Sequence, residues 1–339
     1  MATKTKTYTH VELLTLKGPE YRRVSTAPPR PPTDDEIPII DLTTIDGTLE
    51  EKKQLAEKVR LAAENTGFFY VRNHGIPEDL IQHALSEAKN FFSQPQREKE
   101  KIAFRKTGIS SGYHGVGSTQ INRAETRDLK ETFSMRYDSR IDPASMESSG
   151  LLHADIDLAQ GDDTDWKGTS HLPAFRSTTI TFWQRRLTLA RKLVQIFALA
   201  LGEDASYFDS VTTHPGADAL YVHYPGAPET TTPDRAIDVG IGSHTDIQCF
   251  TLLWQDMSGG LQVLSAQDEW LDARPIAGTM VVNIADFLQR LSNDRFKSTV
   301  HRVYNQQSSS RYSMPFFFGF NPESWHRERL ALAQTPKTD

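Results

Sequence analysis

Leu220-Tyr-Val-His-Tyr224, Phe250-Thr-Leu-Leu-Trp254, Leu261-Gln-Val-Leu264, Met280-Val-Val-Asn-Ile284, His301-Arg-Val-Tyr304 and the run from Tyr312 to Phe320 are short β-type segments. Gly, Pro, Asp and Ser separate them at the spacing of an all-β sandwich or barrel. One short helical interruption falls at Phe287 to Leu291. Two sheets closing into a jelly roll with an open mouth is the natural arrangement of such a series. Working upstream, the texture becomes helical. From Ser177 to Leu201, Ile180, Trp183, Leu187, Ala190, Val194 and Phe197 recur every three or four residues, which predicts a long helix with one buried face. Thr48 to Asn65 and Glu78 to Ser93 show the same period. Between them Gly67-Phe-Phe-Tyr-Val-Arg72 reads as a strand and Asn73-His-Gly-Ile-Pro77 as a turn. Ala27-Pro-Pro-Arg-Pro-Pro32 is a proline-rich, extended connector that releases into a short strand at Ile37-Pro-Ile-Ile-Asp41.

The expected class is therefore mixed α and β with a mainly β core, a jelly roll flanked by N-terminal helices. Residues 1–35 read as an extended leader and 36–135 as an N-terminal helical region packed on the core. Residues 136–320 hold the long helix and the jelly roll, with the candidate site at about 220–320, and 321–339 form a tail. No flexible linker separates the halves, so one integrated domain is expected.

Composition narrows the class of function. Hydrophobic residues make up 37% of the chain and charged residues 24%, as in soluble globular proteins. A formal charge of -6 argues against a nucleic-acid partner, which calls for a basic face. Cys249 is the only cysteine, so no intrachain disulfide forms and a reducing compartment is expected. Met1 to Tyr8 is polar, no apolar run is long enough to span a bilayer, and Thr335-Pro-Lys-Thr-Asp339 is not a peroxisomal address. The expectation is a cytoplasmic protein with no membrane or obligate protein partner.

The chemistry sits in the β region. His244 and Asp246 are two apart, so in extended chain both side chains share a face. His301 follows 57 residues after His244. Two imidazoles and a carboxylate are the facial-triad set that holds divalent iron and leaves open positions for oxygen and substrate. Each residue alone has a bland explanation: a solvated loop, or a core histidine bonded to a carbonyl. Arg311 and Ser313 shift the balance. They alternate onto one strand face ten residues past His301, close enough for a turn and an antiparallel return beside it. Arg311 leads into the apolar run Pro315-Phe-Phe-Phe318, and a buried guanidinium needs an anion that no neighbouring acidic residue supplies.

Taken together, Gly242-Ser-His244-Thr-Asp246, Asn283-Ile-Ala-Asp286, Asn293 to His301 with Arg302-Val303, and Arg311-Tyr-Ser-Met-Pro-Phe316 resemble the signature of 2-oxoglutarate- and iron(II)-dependent dioxygenases of the isopenicillin N synthase-like group. Ile37 to Leu42, Gly67 to Pro77 and Lys130-Glu-Thr-Phe-Ser134 are similar to that family's N-terminal region, so the likeness runs from about residue 36 to 320. The resemblance implies a double-stranded β-helix core and Fe(II), 2-oxoglutarate and O2 as cofactor and co-substrates. It implies that His244, Asp246 and His301 hold the iron, that Arg311 and Ser313 bind the distal carboxylate of 2-oxoglutarate, and that Tyr224 joins them. No further catalytic acid or base is implied. Some members carry asparagine two residues before that tyrosine; Val222 stands there in this chain.

The implied reaction oxidises a small substrate by hydroxylation, desaturation or ring rearrangement and releases succinate and CO2. A same-fold oxidase that does not use 2-oxoglutarate, with Arg311 and Ser313 holding a substrate carboxylate, is the nearest rival; a metal-free binding protein is a more distant one. For the substrate, alternation from Arg311 places Phe317 on the inward face. Phe133 and Met135 are expected on a strand covering the mouth, with the Gly108 to Gly117 loop near the same opening. Such an aromatic lining suggests a small apolar or aromatic metabolite of secondary metabolism.

Overall fold

The computed structural model describes residues 7–15, 18–103, 112–145, 166–226, 239–304 and 308–324. The larger sheet runs, edge to edge, β3 (Ile39–Asp41), β4 (Phe68–Arg72), β12 (Thr279–Ile284), β9 (Phe250–Gln255), β14 (Arg311–Phe318), β7 (Ala217–Tyr224), β6 (Glu131–Met135) and β5 (Gly112–His114). The smaller sheet runs β11 (Trp270–Asp272), β10 (Leu261–Leu264), β13 (His301–Val303) and β8 (Ile241–His244). A hairpin of β1 (Tyr8–Thr15) and β2 (Gly18–Ser25) lies within the stretch read as an extended leader. Its Val11, Leu13 and Val24 cluster with Leu264 and Trp270, which gives it an apolar seat on the smaller sheet.

Period-two alternation gives the larger sheet two apolar faces. Ala217, Ala219 and Tyr221 of β7, with Met314, Phe316 and Phe318 of β14, pack on the helices. Val222 and Tyr224, with Val281 of β12, pack instead with Leu261, Val263, Leu271 and Val303 of the smaller sheet. Each side chain of this size fully removed from water contributes about 1.5–3 kcal/mol. This second cluster fixes how far apart the sheets stand.

The helices behave as their period predicts. α1 (Leu49–Asn65) starts at Thr48, whose hydroxyl accepts from the Glu51 amide while the Glu51 carboxylate accepts from the Thr48 amide. That reciprocal cap satisfies two amides the helix itself leaves open. α2 (Glu78–Phe92) and the single turn α3 (Gln96–Lys99) follow. α4 (Phe175–Leu201) has 27 residues and stops at Gly202, whose φ of 93° suits glycine. It buries Phe182, Trp183, Leu187, Leu193 and Ile196 against the larger sheet and α1 and α2. α5 (Asp286–Leu291) is the short helix between β12 and β13.

Two expectations fail here. β14 does not return beside β13. It inserts between β7 and β9 in the larger sheet, whereas β13 pairs with β8 and β10 in the smaller one. Met314, Phe316 and Phe318 need the helix-facing core, and only a central place in the larger sheet supplies it. Ten residues are ample to cross the roughly 10 Å between packed sheets. Second, part of the glycine-rich stretch 108–117 is strand: Gly112–His114 forms β5, an edge paired with β6. Residues 104–111 lie outside the described residues, as do 325–339 of the tail.

Candidate active site

The register of β8 and β13 sets His244 directly opposite His301. Asp246 lies two residues past the end of β8, in a loop held by the first turn of α5. The Asp286 amide donates to the Asp246 carbonyl at 2.9 Å and the Phe287 amide to that of Ile247 at 3.1 Å. The Asp286 carboxylate accepts from Thr245 at 3.1 Å and from Ser298 at 2.6 Å, tying the loop to the segment that leads into His301. His244 Nε2 then stands 3.5 Å and His301 Nε2 3.7 Å from Asp246 Oδ1. The three ligand atoms lie within 4.8 Å of one another.

The donor set fits a metal ion. His244 Nδ1 lies 2.8 Å from the Gly242 carbonyl and His301 Nδ1 3.1 Å from that of Thr299. A carbonyl only accepts, so each Nδ1 carries the proton and each Nε2 keeps its lone pair for the shared centre. Asp246 is oriented likewise. Its Oδ2 accepts from Asn283 at 2.8 Å and from the Thr251 hydroxyl, leaving Oδ1 toward the imidazoles. Burial alone would raise the Asp246 carboxyl, but the imidazoles of His301 and His244 and the Asn283 amide outweigh it and hold the carboxyl well below its usual range. Burial, seconded by His244, lowers His301 to about 4. The ligands are thus a carboxylate and a neutral His301 at physiological pH, the protonation a divalent cation requires.

Beside this centre the inner face of the larger sheet offers a cationic pocket. β14 and β7 pair Arg311 with Tyr224 and Ser313 with Val222. Arg311 is 1% exposed; its Nε donates to the Gly259 carbonyl at 2.6 Å and its Nη2 to Gln255 Oε1 at 3.0 Å. Nη1 is buried with no hydrogen-bond partner among the described residues. The guanidinium therefore has no anion among the described residues, and one of its donors waits for an acceptor. Its carbon lies 4.7 Å from the Tyr224 ring centroid. Burial pushes the Tyr224 hydroxyl up, against the Arg311 charge and a hydrogen bond with Ser313. Val222 packs in the intersheet core and adds no polar contact, as the valine in place of asparagine implied.

Toward the mouth, Phe317 is half-buried and pairs with Thr251 on one side and Asp218 on the other. Because Thr251 bonds Asp246, Phe317 stands one strand from the metal ligands. Phe133 and Met135 do not cover this mouth. They share the helix-facing side with Tyr221 and Ala219, and Phe133 packs against Phe91, Trp166 and Phe175. β6 is buried on both faces, so its apolar residues gave no parity; Thr132 and Ser134 take the inner positions. Sequence reading also missed Gln255, Gly259, Asp218 and Gln248. Gln248 Nε2 lies 3.4 Å from Asp218 Oδ2, and its buried Oε1 has no partner among the described residues. Thr251 and Gln255, polar residues at alternate positions of a buried apolar strand, were the legible signal for the inner face of β9.

Comparison with known proteins agrees with this geometry. Residues 37–152 match the family described as non-haem dioxygenase in morphine synthesis N-terminal, and residues 216–320 match the 2OG-Fe(II) oxygenase superfamily. A 2-oxoglutarate-Fe(II) type oxidoreductase, ppzC, of Metarhizium rileyi is 38% identical over 92% of this chain and 85% of its own length. The 2-oxoglutarate-Fe(II) type oxidoreductase hxnY of Emericella nidulans is 34% identical over 84% of this chain and 80% of its own. Among solved structures, Neurospora crassa T7H in complex with alpha-KG and thymine superimposes with a TM-score of 0.69 at 29% identity, covering 86% of this chain and 88% of that one.

Proposed function

Because the chain belongs to the 2-oxoglutarate–Fe(II) oxygenase superfamily, and so is a non-haem iron oxidoreductase with a jelly-roll core that uses Fe(II), 2-oxoglutarate and O2, we propose that it oxidises a small, apolar or aromatic metabolite in a secondary pathway. His244, Asp246 and His301 hold the iron. Arg311, with Ser313 and Tyr224, takes the distal carboxylate of the co-substrate. Bound iron and 2-oxoglutarate supply the oxidant, with succinate and CO2 as co-products. The chain's own part is orientation and exclusion of water. Thr251 and Asn283 fix the Asp246 carboxylate, the two backbone carbonyls fix the imidazole rings, and the apolar intersheet cluster keeps the chamber dry. No side chain is required as acid or base.

The observation that carries the substrate class is Phe317, an aromatic ring half-open on the mouth face one strand from Thr251. Thr132, Ser134 and Leu220 put no charge on the adjoining wall, and at its far end Asp218, 3.9 Å from Arg136, and Gln248 offer acceptors. This favours a compact body with a hydrogen-bond donor over a peptide or nucleic acid. No helix among the described residues is long and apolar enough to cross a membrane. The acidic charge and the lone, buried cysteine favour a reducing, cytoplasmic setting.

A panel of small aromatic and alicyclic metabolites, peptides and nucleotides, screened for succinate release with mass spectrometry of products, tests the proposal. Stimulation by small ring compounds is expected; stimulation by peptides or nucleotides alone would overturn it. Arg311→Ala should weaken 2-oxoglutarate binding by about 1.5–3 kcal/mol, the worth of a lost hydrogen bond to a charged group. Unchanged affinity in that variant would remove Arg311 from the pocket.

A further inference from the structure

Lys130, just before β6, is 8% exposed and donates from Nζ to Asp128 Oδ2 at 3.2 Å. An ammonium has three donors, and this is its one hydrogen bond among the described residues. Asp128 is itself fully buried and already occupied. Its Oδ2 also accepts from Thr119 at 2.9 Å, and its Oδ1 takes the amides of Gly242 at 3.3 Å and Ile121 at 3.4 Å. A buried cation with two idle donors is costly unless an acceptor comes to meet it.

Strand register says where those donors are. Glu131 pairs with His223 and Thr132 with Val222, so one step back sets Lys130 level with Tyr224, which is itself opposite Arg311. Glu131 takes the opposite face, where it meets Lys99, Tyr113 and His223. Register therefore puts Lys130 on the inner face, level with the Arg311 pocket, and its partner Asp128 ties it to β8, the strand that carries His244, through the Gly242 amide. Burial lowers the Lys130 ammonium against the pull of Asp128. Phe317 lies six residues farther along β14, about 20 Å away at strand rise.

Charge points the same way. With neutral imidazoles, iron(II), Asp246, Arg311, Asp128 and Lys130 together leave the chamber with two positive charges, the complement of a dicarboxylate. Without Lys130 only one would remain. We infer that Lys130 is a second cationic contact for 2-oxoglutarate, donating its idle N–H groups to the co-substrate's carboxylate oxygens. This rests on the co-substrate pocket assigned to Arg311. The alternative is that Lys130 serves only as counter-ion to Asp128, which braces β8 through Gly242.

The two roles separate in a calorimetric titration of the anaerobic Fe(II) enzyme with 2-oxoglutarate. Lys130→Met should weaken binding about ten- to a hundredfold, with Fe(II) affinity retained, since one charge-assisted contact is lost. The paired change Asp128→Asn with Lys130→Met removes both charges and leaves no unpaired buried ion, so it guards against simple misfolding. It keeps the chamber's net charge and loses only the direct contact, so 2-oxoglutarate affinity should still fall, by about tenfold. Affinity within about threefold of wild type in either folded variant, whatever the change in thermal stability, would reduce Lys130 to a counter-ion. Arg311→Ala weakened with Lys130→Met unchanged would sink the lysine alone. A wild-type holoenzyme with no binding heat would sink the pocket and the lysine's role together.

Discussion

Thr251 and Asn283 face each other across β9 and β12 and both donate to Asp246 Oδ2, Asn283 at 2.8 Å. Thr251→Val keeps the side-chain shape and deletes the hydroxyl. A hydrogen bond to a charged group contributes about 1.5–3 kcal/mol, and loss of an outer partner of a metal ligand typically lowers affinity about 10–100-fold. The two figures coincide, since tenfold is about 1.4 kcal/mol. Thr251→Val should therefore bind Fe(II) at least about tenfold more weakly while folding normally. Asn283→Leu should do the same. The double variant should lose more than the sum, because a buried carboxylate stripped of both donors is driven toward its protonated form and no longer ligates. Anaerobic calorimetric titration of the apoprotein with Fe(II), alongside circular dichroism, reads the outcome. Wild-type metal affinity in a folded Thr251→Val protein would refute the claim that these strands orient the ligand.

Metal removal makes a pH prediction. Burial and then His244 hold His301 at about 4, against 6.5 for a free imidazole. The unfolded chain therefore takes up the proton first, so apoprotein stability is intact above about pH 6.5 and falls toward pH 4, by at most about 3 kcal/mol for this group. Urea unfolding of apoprotein at pH 7 and 4.5 should show the loss in wild type and a smaller one in His301→Gln; equal losses would contradict it. Gly260 has φ +94°, and a Cβ there would lie 2.3 Å from the Tyr304 carbonyl and 3.8 Å from Arg311 Cδ. Gly260→Ala should lose about 1–2 kcal/mol from the backbone conformation alone, with weaker 2-oxoglutarate binding as Gly259 shifts from Arg311; an unchanged melting temperature would count against it.

What was legible in the sequence follows from how many faces of an element are polar. α1 and α4 declare themselves by period, and β14 by Arg311 and Ser313 alternating with Met314, Phe316 and Phe318. β6 is buried on both faces, so Phe133 and Met135 looked as fit for the mouth as Thr132 and Ser134. The triad was readable because its residues are few and chemically specific. Gln255, Gly259 and Lys130 were not, because their roles arise from contacts and register between residues 52, 56 and 94 positions apart. Chain proximity was also misleading: ten residues between His301 and Arg311 suggested one hairpin, yet the apolar face of β14 belonged to another sheet.

That separation bears on the chemistry. The metal ligands come from the smaller sheet and its loop, whereas the carboxylate pocket comes from the larger sheet. Among the described residues no strand pairing joins β13 to β14, so their spacing is set by Val222, Tyr224 and Val281 packing on Leu261, Val263 and Val303. A rigid co-substrate must bridge metal and Arg311 at one length, and a packed core resists small displacements more firmly than a loop does. The intersheet cluster is thus the gauge of the site. Its counterpart at the mouth, where Phe317, Asp218 and Gln248 are only partly covered, carries no such constraint, which leaves the substrate wall free to vary while the oxidising machinery stays fixed.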